Sequence, residues 1–192
     1  IFNDGSNADF RSGIVGEVSP QEFWDIRLPQ INTRVNDIIF IIDKITEIQK
    51  GKDSFWELVD ISRIGVMGHS YGGGTAILAS TVDERIDACI ALDGWLVPLE
   101  KNIINRGLDI PFLFIGQPKW TNPMNYDNLD TLISKTQIAK KIILDGTMHM
   151  DFSDTPQFSN LSAKLGVSGT MDVDELRNFL NSHIVSFFYK HL

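Results

Sequence analysis

Arg63-Ile64-Gly65-Val66-Met67-Gly68-His69-Ser70-Tyr71-Gly72-Gly73-Gly74-Thr75-Ala76-Ile77-Leu78 reads as an apolar strand, a tight glycine-rich turn and an apolar helix start, in that order. The turn spells G-x-S-x-G, an arrangement that holds its serine in a strained backbone geometry with the hydroxyl exposed. Gly68 and Gly72, two residues either side of Ser70, are the small positions expected to let strand and helix approach closely. Any glycine-rich turn of an α/β protein could match these five letters. The strand before and the helix after it favour a nucleophile. A phosphate-binding loop is disfavoured, because G-x-x-x-x-G-K-[ST] lacks its lysine here and no G-x-G-x-x-G fits.

Outward from this turn, short apolar runs at Ile64 to Met67, Ala88 to Leu92, Phe112 to Ile115 and Ile142 to Leu144 read as buried strands. Helical patterns at Gly73 to Ser80, Leu99 to Asn105 and Tyr126 to Ala139 separate them. Strand and helix therefore alternate as a parallel sheet requires, and the fold class is α/β. Upstream, Ser19-Pro20-Gln21-Glu22 carries a capping serine, a proline at the first helical position and a glutamate three residues after the cap. Pro29 is expected to kink or restart that helix. From Ile31, the residues Val35, Ile38, Ile39, Ile42, Ile45 and Ile48 recur at helical spacing until Lys50-Gly51. Downstream, Asp172-Val173-Asp174-Glu175 opens a closing helix with Leu176, Phe179, Leu180, Ile184, Phe187 and Phe188 on its apolar side. Asp145 to Gly169 is mostly irregular and offers room for a site loop.

The 192 residues, 43% hydrophobic and 22% charged, fit one domain spanning 1–192. With 17 Lys+Arg against 25 Asp+Glu and a net charge of -8, the chain lacks the positive field that a nucleic acid partner needs. No apolar run is long enough for a spanning helix. The lone Cys89 cannot form an intrachain disulfide, and no Cys/His spacing suggests a metal. Asn160-Leu161-Ser162 matches a glycosylation acceptor, a short pattern with little weight by itself.

A serine hydroxyl needs a base to attack, and in elbow-bearing folds the partners follow in the order Ser, Asp or Glu, His. Of the four histidines, His69 precedes the serine, where its side-chain direction favours a packing or supporting role, and His183 and His191 lie on the closing helix. His149 remains, in a loop after the fourth strand, at the sheet edge where α/β proteins place their chemistry. The orienting acid is expected at Asp93, directly after the second strand, over Asp127 and over Asp145, which lies too near His149 in sequence to face it. A tetrahedral oxyanion would receive one backbone N–H from Tyr71. Residues 1–18 contain Gly5, Gly13 and Gly16 without a convincing strand, so the second donor is expected outside this chain.

Gly68-His69-Ser70-Tyr71-Gly72-Gly73, Ala91-Leu92-Asp93-Gly94-Trp95 with Pro98-Leu99, and His149 with Phe152 and Asp154 resemble the plasma-type platelet-activating factor acetylhydrolases. Phe187-Phe188-Tyr189-Lys190-His191-Leu192 resembles that family's closing helix. The Leu-Asp-x-Trp segment is the specific part, since most α/β-hydrolases place the acid one strand later. The resemblance implies an α/β-hydrolase fold and a triad of Ser70, Asp93 and His149. It also implies that the family's first strands precede the elbow and are absent here, Ile1-Phe2-Asn3-Asp4-Gly5 looking like the exit from the last of them. The edge of the elbow strand would then be exposed, to be covered by an amino-terminal segment or another chain.

The expected activity is therefore serine ester hydrolysis through an acyl-enzyme, with no metal or organic cofactor. The resemblance implies a short acyl chain on a small or phospholipid-like ester, with Trp95, Leu96, Trp120 and Phe152 as pocket walls, although each could equally be core. The alternatives are a general carboxylesterase, thioesterase or polyester hydrolase, and, from another class, a non-catalytic binding module that keeps the elbow as scaffold. Leu96, Val97, Leu99, Ile103 and Ile104 also offer a weak contact with a lipid interface.

Overall fold

The four strands among the described residues lie in chain order, and their parallel pairing follows from a helix returning the chain between each pair. The computed structural model describes residues 18–50, 55–158 and 161–192. The expectations placed on Ile1 to Gly5, on Gly13 and Gly16, and on Asn160 lie outside the described residues. Helix α1 (Pro20–Gln49) leads to β1 (Ile64–His69), α2 (Tyr71–Val82), β2 (Ile86–Leu92), α3 (Lys101–Arg106), β3 (Phe112–Gly116), α4 (Met124–Lys135) and β4 (Ala139–Ile143). Short α5 (Thr155–Phe158) and long α6 (Val173–His191) close the chain. The strand order is β1-β2-β3-β4, every pair parallel.

Alternation along the strands sorts the core into two layers. Cys89, Ala91, Phe112 and Phe114 face a layer shared with Ile31 of α1, Ala76 and Ile77 of α2 and Leu129 and Leu132 of α4. Their neighbours Ile90, Leu92, Leu113 and Ile115 face the other side, where Leu176, Phe179, Leu180, Ile184 and Phe188 of α6 cover them. The apolar stretch from Leu96 to Ile104, weighed as a lipid contact, turns inward: Leu96, Leu99 and Ile104 are buried in the first layer. No described helix is long and apolar enough to cross a membrane.

Among the departures from the sequence reading, two have an identifiable physical cause. Pro29 neither ends nor restarts α1, which is one helix with a complete capping box between Ser19 and Glu22. Pro29 is exposed, so the carbonyl it leaves unpaired faces water at little cost. The fourth helix stops at Lys135 because the Thr136 hydroxyl bonds back to the Leu132 carbonyl at 2.8 Å and accepts the Leu108 N–H at 3.0 Å. Ile138 and Ala139, read as helix, instead join the sheet: the Ile138 carbonyl accepts the Phe112 N–H and Ala139 pairs with Phe112.

The two edges of the described sheet contrast. β4 carries Lys140 and Lys141, charges that discourage further pairing. β1 carries no charged residue, and Met67 is 54% exposed beside it. Among the described residues, β1 is an unprotected edge.

Candidate active site

At the carboxyl end of β1 the chain must reverse within one residue to start α2, and Ser70 takes the strain with φ 57° and ψ −122°. Bonds to the neighbouring strand fix it there. The Ser70 N–H donates to the Leu92 carbonyl at 3.0 Å, and the Ser70 carbonyl accepts the Trp95 N–H at 2.7 Å. Close packing permits this turn: a Cβ on Gly68 would lie 2.3 Å from the Gly72 backbone, and one on Gly73 would lie 2.7 Å from the Gly94 Cα. Gly72 itself faces open space, so Gly73 makes the second close approach that the motif assigned to Gly72.

Asp93, directly after β2, is the only other described non-glycine residue with positive φ, at 42°. Its side chain is fully buried and surrounded by donors. Oδ1 accepts the Gln117 N–H at 3.1 Å and the Trp120 Nε1–H at 2.9 Å. Oδ2 accepts the Gln117 side-chain amide at 2.8 Å and His149 Nδ1–H at 2.6 Å. Four donors offset the desolvation that burial of a carboxylate costs. The other ring nitrogen of His149, Nε2, lies 2.8 Å from Ser70 Oγ. Because the carboxylate can only accept, Nδ1 carries the proton and Nε2 is left to accept from the serine hydroxyl.

His149 begins a 3-10 turn, His149–Phe152, after β4. Asp151 braces this loop, its Oδ2 accepting the N–H groups of Met148 and Gly169 at 2.7 Å each. His69 braces it from the elbow: its Nε2–H donates to the His149 carbonyl at 2.9 Å, and the two rings lie 4.6 Å apart. Burial, and then the neighbouring His149, hold the His69 imidazole below its ordinary pKa. The Trp120 ring stands edge-on to His149 at 4.9 Å. Tyr126 donates its hydroxyl to the Gln117 carbonyl, fixing the residue that feeds both oxygens of Asp93.

Of the residues expected to bind substrate, Trp95 is half-buried beside Tyr71, with ring centroids 5.4 Å apart. Leu96 is fully buried and gives its N–H to Asn125. Trp120 touches the acid and the histidine, as described. Phe152 lines a cavity of about 400 Å³ with Met67, His69, Leu92 and Leu180, between the end of β1 and α6. The Tyr71 N–H sits in the first turn of α2, where amides have no carbonyl one turn back to bond. Cys89 is no rival nucleophile, since complete burial pushes its thiol up to about 12. Among the described residues, no group of His, Cys, Asp and Glu side chains is arranged to hold a metal ion.

The sequence reading missed Gln117 and Asp151, and it gave His69 a packing or supporting role without the partner that it braces. Gln117 had a usable signal, because it immediately follows β3 and so stands at the same sheet edge as Ser70 and Asp93. Asp151 had none beyond its proximity to His149.

The family described as platelet-activating factor acetylhydrolase, isoform II, matches over residues 14–192. The platelet-activating factor acetylhydrolase of Gallus gallus is 29% identical over 184 residues, covering 87% of this chain and 43% of that protein. That of Canis lupus familiaris is 29% identical over 157 residues, covering 79% of this chain and 34% of that protein. The chain thus spans less than half the length of these relatives. Among solved structures, a ferulic acid esterase from Streptomyces cinnamoneus superposes with a TM-score of 0.67 at 27% identity, covering 85% of this chain and 49% of that one. With an α/β-hydrolase fold and a match over nearly its whole length, the chain belongs to the platelet-activating factor acetylhydrolase, isoform II, family.

Proposed function

We propose that this chain carries the catalytic residues of a serine carboxylic ester hydrolase. The observation that carries the reading is the continuous line from Ser70 Oγ to His149 Nε2 at 2.8 Å and from His149 Nδ1 to Asp93 Oδ2 at 2.6 Å. Ser70 attacks the ester carbonyl as His149 takes its proton, and Asp93 stabilises the imidazolium that forms. Negative charge then develops on the carbonyl oxygen. The Tyr71 N–H, at the positive end of α2, is the donor we assign to that charge. Collapse of the tetrahedral intermediate releases the alcohol, protonated by His149, and leaves an acyl group on Ser70. Water activated by the same histidine releases the acid and restores the serine.

The relatives' names speak of acetyl hydrolysis, and the structural neighbour's of a ferulic acid ester. Short acyl esters, phospholipid-like or smaller, are the substrate class we favour. A series of esters of increasing acyl length tests this, with acetyl preferred over octanoyl as the expected result and the reverse preference pointing to a general carboxylesterase. The mechanism is tested by Ser70→Ala, which should abolish turnover of a short-chain aryl ester. Unchanged turnover would sink this mechanism, and no turnover by the unaltered protein would favour the non-catalytic scaffold.

A further inference from the structure

Six arginines lie among the described residues, and four of them face a carboxylate: Arg63 with Asp60, Arg85 with Asp83 and Asp43, Arg106 with Asp109, and Arg177 with Asp174. The other two, Arg27 and Arg34, have no carboxylate partner among the described residues, although the chain carries 25 acidic side chains. Both converge on one ring. The Arg27 guanidinium lies 5.6 Å from the centre of the Tyr71 ring and 5.1 Å from that of Trp95, and Arg34 lies 4.8 Å from Tyr71.

That ring belongs to the residue after the nucleophile. Consecutive Cα atoms stand about 3.8 Å apart, so Tyr71 is as near to Ser70 as the chain allows. Trp95 is tied to the same serine through its N–H. The Tyr71 hydroxyl donates to the Arg27 carbonyl at 2.8 Å, locking α1 to the elbow and fixing the height of Arg27 above it. Arg27 spends one donor on Gln30 Oε1, and its buried Nε has no partner among the described residues. Arg34 is exposed. Two planar cations are thus held against the rings of Tyr71 and Trp95, the one next to Ser70 in the chain and the other bonded to its carbonyl. With no carboxylate partner among the described residues, they suit recognition of an oxyanion. Guanidinium forks match carboxylate and phosphate geometry, and aromatic stacking presets the fork at low entropic cost.

We infer that Arg27 and Arg34 form an anion-recognising subsite beside Ser70, which selects esters carrying a carboxylate or phosphate group away from the scissile bond. This rests on the ester-hydrolase reading for its place in catalysis. The subsite supplies local positive potential on an acidic protein, so its effect weakens as salt rises. The neutral acyl part of the substrate remains at Ser70 while the charged part lies toward α1.

The test compares three acetyl esters on the wild-type protein: para-acetoxybenzoate, para-acetoxyphenyl phosphate and the neutral para-acetoxybenzamide. The expected result is a higher kcat/KM for at least one anionic ester, and which one it is tells carboxylate from phosphate recognition. Arg34→Gln should lower the anionic-to-neutral ratio about tenfold, the scale of one lost charge contact. Arg27→Lys, which keeps charge but loses the fork, should lower it less. Arg106→Gln, whose partner is Asp109 on the surface, is the control and should keep the wild-type ratio. Ratios unchanged by both Arg27 and Arg34 substitutions would overturn the subsite. If the wild type hydrolyses none of the three, the ester-hydrolase reading fails instead, and tryptophan fluorescence titrated with benzoate and with phenyl phosphate decides the subsite. Saturable quenching lost in Arg34→Gln would still support it, and no saturable, arginine-dependent change would overturn it.

Discussion

The carboxyl ends of β1 and β2 differ from those of β3 and β4 in how they hold their functional groups. At the first pair the backbone itself is forced into the left-handed region, at Ser70 and Asp93, and each residue is tied by main-chain bonds to the adjacent strand. At the second pair no non-glycine residue is strained. Gln117, Trp120 and His149 instead reach the site from loops and are held by side-chain bonds. Ser70 and Asp93 are thus set by the sheet, whereas His149 is set by contacts that converge on its loop. In the proposed mechanism this division has a use, because the histidine must turn from serine to leaving group while its partners stay fixed.

If this contrast is right, the largest effects come from the strained pair. Ser70→Ala should lower kcat/KM for a short acyl ester by about 10⁴-fold or more, and Asp93→Asn by about 10⁴-fold, both read by steady-state kinetics. Asparagine keeps the shape of Asp93 but sets its NH2 against two donors, either Gln117 N–H and Trp120 Nε1–H or the Gln117 amide and His149 Nδ1–H. Gln117→Leu and Trp120→Phe act on the loop side and should each cost about tenfold to a hundredfold in kcat/KM, the scale of a lost hydrogen bond to a buried charge. An effect equal to that of Asp93→Asn would erase the distinction between the two pairs.

Packing under the elbow is tested by Gly73→Ala, whose methyl would sit 2.7 Å from Gly94 Cα and 3.0 Å from the Gly68 carbonyl. Backbone must move, so a loss of about 1–3 kcal/mol in urea unfolding is expected. The bracing by His69 predicts a pH effect. Its imidazole is held below the ordinary value by burial and by His149, so folding binds fewer protons there than the unfolded chain does. That contribution is fully present above the unfolded pKa of about 6.5 and is lost as pH falls from there through the folded value. His69→Gln should therefore show a smaller fall in Tm than wild type between about pH 7.5 and about pH 5.5. An identical fall would show that His69 is not the group responsible. Smallest of all, Arg177→Ala on α6 removes an exposed pair with Asp174 and should change stability by less than about 1 kcal/mol.

Much of this arrangement was legible before the fold was known, for reasons that differ by residue. The strands and α2 follow from apolar runs and from the G-x-S-x-G turn, which are local signals. Asp93 and His149 could be placed because each follows a strand of a parallel sheet, and such positions share one edge. Glycine identity alone could not show that Gly73 rather than Gly72 makes the close approach, since that depends on where Gly94 lies across the sheet. The end of α4 depends on a Thr136 hydroxyl shared with Leu108, a contact 28 residues distant in sequence. The donor role of Trp120 was hidden for the same reason: an indole reads as a pocket wall until its N–H is seen against a buried carboxylate. Contacts between distant segments, not local propensity, set what the sequence reading lacked.

The most direct test of the line from Ser70 to Asp93 is reaction with a fluorophosphonate, which modifies only activated serines, followed by mass mapping. Labelling at Ser70 that is lost in His149→Ala is the expected result, because the hydroxyl is nucleophilic only while His149 accepts its proton. No labelling of the protein, or labelling at another serine that persists in His149→Ala, would contradict it.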